Sequence, residues 1–109
     1  MKLDFKDKKL RDLCEQSRVA EKKLGADSAR KLRSRLSDIE AATTVLDLVA
    51  GAPHPLKGDR KNQFSVSLAG GCRIVFEPDH DPLPLREDQS LDWSQVFDVK
   101  VIFIGDYHE

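Results

Sequence analysis

The run FSVSLAGGCRIVF, residues 64–76, restricts this chain more than any other stretch. Two apolar segments with alternating pattern flank Ala69-Gly70-Gly71, the arrangement of a β-hairpin closed by a glycine turn. A three-residue loop with a left-handed glycine pairs Phe64 with Phe76, Val66 with Ile74 and Leu68 with Cys72. Those six side chains then share one face, while Ser65, Ser67 and Arg73 share the other. A two-residue loop would mix the faces, so the longer one is expected. Arg73 should therefore stand on a polar face opposite Ser67. Val75 falls on that same face, and the pattern gives no reason for it.

The rest of the chain supplies what covers the apolar face. Residues 2–5 alternate like a short edge strand. Asp7 is placed to cap a helix carrying Leu10, Leu13 and Cys14, with Lys22 and Lys23 in its last turn and Gly25 as its stop. A second helix places Ala29, Leu32, Leu36 and Ile39 on one side and Arg30, Lys31, Arg33 and Arg35 on the other. TTVLDLVAG reads as a short third helix ending at Gly51, before Pro53 and Pro55. Residues 78–96 are a long acidic, proline-containing loop with Trp93 as its hydrophobic anchor. FDVKVIFI (97–104) is apolar on both faces at its centre, which suits an internal strand, and Gly105 ends it. The expectation is one domain, 1–109, of α+β class, with N-terminal helices packed on a small antiparallel sheet.

The 109 residues carry a net charge of −1 that hides a division along the chain. Residues 1–50 and 51–73 are each at +3, and residues 74–109 are at −7. A basic first two-thirds suits a polyanion-facing surface. The two cysteines, Cys14 and Cys72, form no CxxC or zinc spacing and read as reduced thiols. No apolar run approaches the roughly 20 residues of a bilayer span, and MKLDFKDKKLRDL lacks the apolar core of a secretory signal. A cytoplasmic protein without a membrane partner is expected.

HPLKGDRKNQ, leading into the hairpin, concentrates His54, Lys57, Arg60 and Lys61, and the chain closes on Asp106, Tyr107 and His108. If the last strand lies beside the hairpin, these groups and Arg73 converge at one end of the sheet. Arginine grips a phosphate with two parallel donors. Histidine, or a lysine of depressed pKa, exchanges protons with a ribose hydroxyl and a leaving oxygen, and a tyrosine ring can stack on a base. That set suits RNA cleavage without a metal or other cofactor. Each member also has a plain structural explanation, as a turn residue, a solvated tail or one half of an ion pair. The Asp79-His80-Asp81 triplet, three adjacent loop residues, lacks a defined coordination geometry.

The order FKDKKL…KLG…RKLRSRL…HPLKGDRKNQFSVSL…GCRIVFEP…VIFIGDYHE resembles the RelE/ParE superfamily of bacterial toxins over almost the whole chain, and within it the HigB, or plasmid-maintenance killer protein, branch. Cys72 stands where many relatives carry an aromatic residue. The resemblance implies a toxin of a type II toxin–antitoxin system that cleaves mRNA on the ribosome. It further implies a HigA-like helix-turn-helix antitoxin as partner, with operator DNA reached only through that antitoxin. Carried over by position, His54, Lys57, Arg73, Asp106, Tyr107 and His108 match the family's active-site set, with His54, Lys57, Arg73 and His108 expected to be catalytic. Arg60, Lys61, Asp106 and Tyr107 are expected to contact RNA, and Arg30, Arg33 and Arg35 ribosomal RNA. Lys57 and His54 both qualify as the base. Two other readings stay open: a non-nuclease toxin of the same fold acting on DNA gyrase, and a passive RNA-binding or ribosome-binding module.

Overall fold

A computed structural model describes residues 1–106. Five strands form one sheet: β1 (Lys2–Phe5), β2 (His54–Pro55), β3 (Phe64–Ser67), β4 (Cys72–Pro78) and β5 (Asp98–Asp106), in the order β1-β5-β4-β3-β2. Three helices, α1 (Lys8–Glu15), α2 (Ser17–Leu24) and α3 (Ala26–Ala41), precede β2 in the chain. The α+β architecture is as expected, but the sheet is mixed. β1 lies parallel to β5, with Lys2 opposite Asp98, and the other pairs are antiparallel. A parallel pair needs a crossover connection, and here everything from α1 to β4 serves as one.

The hairpin takes the expected register: Phe64 opposite Phe76, Val66 opposite Ile74 and Ser67 opposite Arg73. Leu68 N donates to Cys72 O at 2.8 Å, and Gly70 at φ +59 supplies the left-handed turn residue. Phe64, Val66, Ile74 and Phe76 are buried together with Leu32, Leu36 and Ile39 of α3 and with Val99 and Val101 of β5. Each such side chain contributes about 1.5–3 kcal/mol by leaving water, so this layer is the principal source of stability.

Two local expectations are corrected. The first helix is broken at Gln16, whose φ of −119° and ψ of 105° are extended, and Gln16 N closes α1 on Asp12 O at 2.9 Å. A continuous helix would carry Ser17 on the same face as Leu10 and Leu13; with the break, α2 starts afresh at Ser17 and buries Ala20. Residues 43–50 form no third helix beyond a single 3-10 turn, Val45–Asp47. Thr44 and Asp47 close it as a reciprocal capping box, and Val45 N bonds Val96 O.

The acidic segment 78–96 is irregular, and its apolar residues tie it down. Trp93 packs edge-on against Phe64 with ring centroids 4.9 Å apart, and Leu91 and Val96 are buried. His80 Nε2 accepts from the backbone N–H groups of Phe97 and Asp98, at 3.2 Å each, so this nitrogen serves the loop's own backbone. No helix among the described residues is long and apolar enough to cross a membrane.

Candidate nucleic-acid interface

The helices cover one face of the sheet, and the strand register orders the other face into two rows. The upper row runs Ser67, Arg73, Gly105 across β3, β4 and β5. The lower row runs His54, Ser65, Val75, Phe103 across β2 to β5. Phe103 belongs here because of a bulge. Val75 faces Phe103 but Phe76 faces Val101, so Ile102 is an extra residue on β5. A bulge reverses side-chain parity beyond it. Val99 and Val101 therefore point into the core, while Phe103 and Gly105 point outward.

Arg73 is the centre of the upper row. Its Nη1 donates to Ser67 Oγ at 3.2 Å. Ser67 is fixed in turn by its backbone N–H, which donates to Gly51 O at 2.7 Å. Opposite Arg73 on β5, Gly105 adds no side chain to the row. Its φ of +156° favours glycine, and a Cβ there would lie 3.2 Å from Phe103 Cζ.

Arg60 reaches the face from below. It ends the 3-10 turn Gly58–Arg60, donates from Nη1 to Gln63 Oε1 at 3.1 Å, and sets its guanidinium 5.2 Å from the Phe103 ring centroid. To do so it crosses from the β2–β3 connection towards β5. Ser65 and Val75, in the row between, are both 0 % exposed. The middle of the lower row is therefore covered, contrary to the open polar face expected from alternation, and this accounts for an apolar residue at Val75. Ser65 Oγ is buried without a hydrogen-bond partner among the described residues.

His54 is exposed on β2 and paired with Ser65. Its Nδ1 lies 2.9 Å from Ala52 O. A carbonyl only accepts, so Nδ1 carries the proton and in the neutral ring Nε2 keeps the lone pair. Ala52 holds a left-handed φ of +48°, directly after Gly51 at +87°. A non-glycine residue there costs about 1 kcal/mol, a local strain that presents its carbonyl to the imidazole. From the strand spacing, His54 and Arg73 are about 12 Å apart at Cα. Lys57 is the exposed N-cap of the 3-10 turn, and Lys61 is exposed just past it.

The remaining candidates divide. Asp106 pairs with Cys72, and its carboxylate lies against Gly71, where a Cβ would be 2.7 Å from Oδ2. It also helps to raise the Cys72 pKa, behind the larger effect of burial and against a hydrogen bond from Ser28 that lowers it. Its surroundings are thus the hairpin tip. Tyr107 and His108 lie outside the described residues. Arg30 pairs with Asp27 at 3.1 Å and Arg33 donates to Ser17 Oγ at 3.4 Å, both on the exposed side of α3. Arg35 departs from the expected basic face. Its side chain is only 18 % exposed, it pairs with Asp38 at 3.4 Å, and its Cδ would be 3.2 Å from a Cβ on Gly51. It braces the loop below His54.

Among the described residues no group of three His, Cys, Asp or Glu side chains is placed to hold a metal ion. The sequence reading missed Phe103, Gln63 and Gly105 as parts of this face. The available signal was the strand order, which sets β5 against β4. The bulge that turns Phe103 outward leaves no mark in the alternation.

A mixed five-stranded sheet backed by three helices on one face defines the α+β fold of the YoeB/RelE-like toxins. Solved structures that carry it include the following. The chain matches the YoeB/ParE toxin from Agrobacterium tumefaciens at 18% identity and TM-score 0.62, over 99% of this chain and 100% of that one. It matches the YoeB–YefM complex and the YoeB dimer from Staphylococcus aureus at 15% identity each, with TM-scores of 0.59 and 0.57, over 100% of this chain and 98% of each. No family model matches the chain, and no curated protein matches it.

Proposed function

We propose that this chain is the toxin of a type II toxin–antitoxin system, of the HigB branch of the RelE/ParE superfamily, and that it cleaves mRNA on the ribosome. The observation that carries the reading is Arg73. It is held by Ser67 opposite a side-chain-free Gly105, one row from a histidine whose Nδ1 is engaged by Ala52 O. In the step proposed, the substrate's 2′-oxygen bonds to phosphorus and the bond to the 5′-oxygen breaks, leaving a cyclic phosphate and a 5′-hydroxyl. His54 or Lys57 takes the 2′-OH proton, Arg73 stabilises the charge gathering on the phosphoryl oxygens, and His108 protonates the leaving oxygen. Tyr107 contacts the base. Lys61 meets the backbone beside Lys57, and Arg30 and Arg33 meet ribosomal RNA through charge that salt will screen. A HigA-like helix-turn-helix antitoxin is the proposed partner, and one like-folded structure is a two-protein YoeB–YefM complex.

Mapping RNA 5′ ends after induction tests this reading. New breaks within translated messages, lost in Arg73→Ala and in His108→Ala, are the expected result. No breaks, or breaks that persist in both variants, would refute it. Supercoiling defects without breaks would instead support the gyrase reading. Salt-sensitive ribosome binding without cleavage would support a passive module.

A further inference from the structure

We propose that Phe103 and Gly105 are positioning residues that hold Arg60 beside Arg73, making a two-guanidinium grip for one RNA phosphate. The inference rests on the nuclease reading and extends it to residues with no direct role in proton transfer. Phe103 and Arg73 are diagonal neighbours on adjacent strands, since Phe103 faces Val75 and Gly105 faces Arg73. Such neighbours lie about 7–8 Å apart at Cα, within reach of a long side chain. Arg60 starts from a different segment, a 3-10 turn on the far side of β3. An unguided arginine would disperse over many rotamers in water. Here its contacts include Gln63 Oε1, which takes Nη1 at 3.1 Å, and the Phe103 ring, which lies under the guanidinium with its centroid 5.2 Å away. The ring attracts the cation through its quadrupole.

Gly105 sets where that ring lies. The Phe103 ring edge occupies the space a side chain at 105 would take, 3.2 Å from the position of a Cβ. The ring can therefore lean towards the row of Arg73 and bring the guanidinium with it. A β-carbon at 105 would push the ring back along the strand and intrude on the space opposite Arg73. The bulge at Val75/Phe76 is part of the same device, because without it Phe103 would join Val101 in the core. A phosphodiester reached by both guanidinium groups is held most strongly where its negative charge is greatest, in the pentavalent state.

The test is a double-mutant cycle on the full chain, read as single-turnover cleavage of ribosome-bound mRNA. Phe103→Leu should lower the cleavage rate about tenfold, matching the loss of one partly desolvated cation–ring contact. Phe103→Tyr should recover most of that loss. The pair Arg60→Ala with Phe103→Leu should be no slower than Arg60→Ala alone, because the ring acts only through Arg60. Additive losses, or a full rate in Phe103→Leu, would overturn the inference. If Phe103→Leu does not fold, Phe103→Met preserves the bulk without the ring and is judged by the same criteria. A readout independent of cleavage is the Arg60 Nε–Hε resonance. It should be shifted by the ring in the native protein, and the shift should be reduced in Gly105→Ala and absent in Phe103→Leu. An unshifted native resonance refutes the positioning even in an active nuclease. A shifted resonance in a protein that cuts no RNA leaves the positioning standing and removes the nuclease.

Discussion

Replacing Gly51 with alanine asks how rigidly the loop below the candidate site is held. Gly51 has φ +87°, and a Cβ there would lie 2.6 Å from Val66 Cγ1 and 3.0 Å from Ser67 O. The left-handed backbone alone costs an L-residue about 1 kcal/mol. The Val66 contact is with a side chain that is 2 % exposed and packed in the core, and the Ser67 contact is with strand backbone, so neither yields easily. Overpacking of this kind costs about 1–3 kcal/mol more, giving a total loss of about 2–4 kcal/mol. Gly70→Ala supplies the control. Its φ is +59°, and nothing lies within 4 Å of its Cβ position, so only the backbone cost of about 1 kcal/mol applies. Urea unfolding of the wild type and both variants, followed by far-UV circular dichroism, measures the difference directly. The gap between the variants should be about 2 kcal/mol. Equal losses would show that the loop relaxes away from β3, and the account of Gly51 O as an anchor for Ser67 would fail.

Other expectations follow from packing and protonation. Trp93→Ala should cost about 2 kcal/mol in the same unfolding assay, less than a fully buried aromatic because the ring is only half-buried against Phe64. His80→Ala removes the shared acceptor of two backbone N–H groups and should cost about 1 kcal/mol, with faster hydrogen exchange at the Asp98 amide than in the wild type. Burial pushes the Cys14 thiol from 9.0 to about 12, with a smaller push from Glu15. Alkylation of Cys14 at pH 8 should therefore run about 1000-fold slower in the folded protein than in the denatured one. Peptide mass spectrometry reads the difference, and equal labelling would contradict the burial. The same shift means that the folded state keeps a proton the unfolded chain gives up. Its contribution to stability is complete below pH 9 and declines as pH climbs towards 12.

The hairpin was legible because one face had to be apolar, and only a three-residue loop put Phe64, Val66, Ile74 and Phe76 together. The N-cap at Asp7 and the internal position of β5 were legible for similar local reasons. The break at Gln16 was not, since α1 and α2 are each short and their separation is decided by what α3 offers them. The parallel pairing of β1 was hidden because a four-residue strand has the same alternation whichever way its neighbour runs. At the site, Arg73 opposite Ser67 followed from register alone. Phe103 did not, because period-2 reading sets it with Val99 and Val101 until the extra residue at 102 reverses the count. Arg35 looked like part of a basic helix face, and only the tertiary approach of Gly51 shows that its stem is packed against the loop.

The position of β5 between β1 and β4 has a consequence for synthesis. Two strands wait on it, one of them separated by almost the entire length of the polypeptide. A product stopped early by a nonsense codon would lack Val99 and Val101 from its interior and leave both neighbours unmatched. Such fragments would meet the cell's proteases as open coils. Any function borne on this scaffold would therefore appear only once β5 had been made.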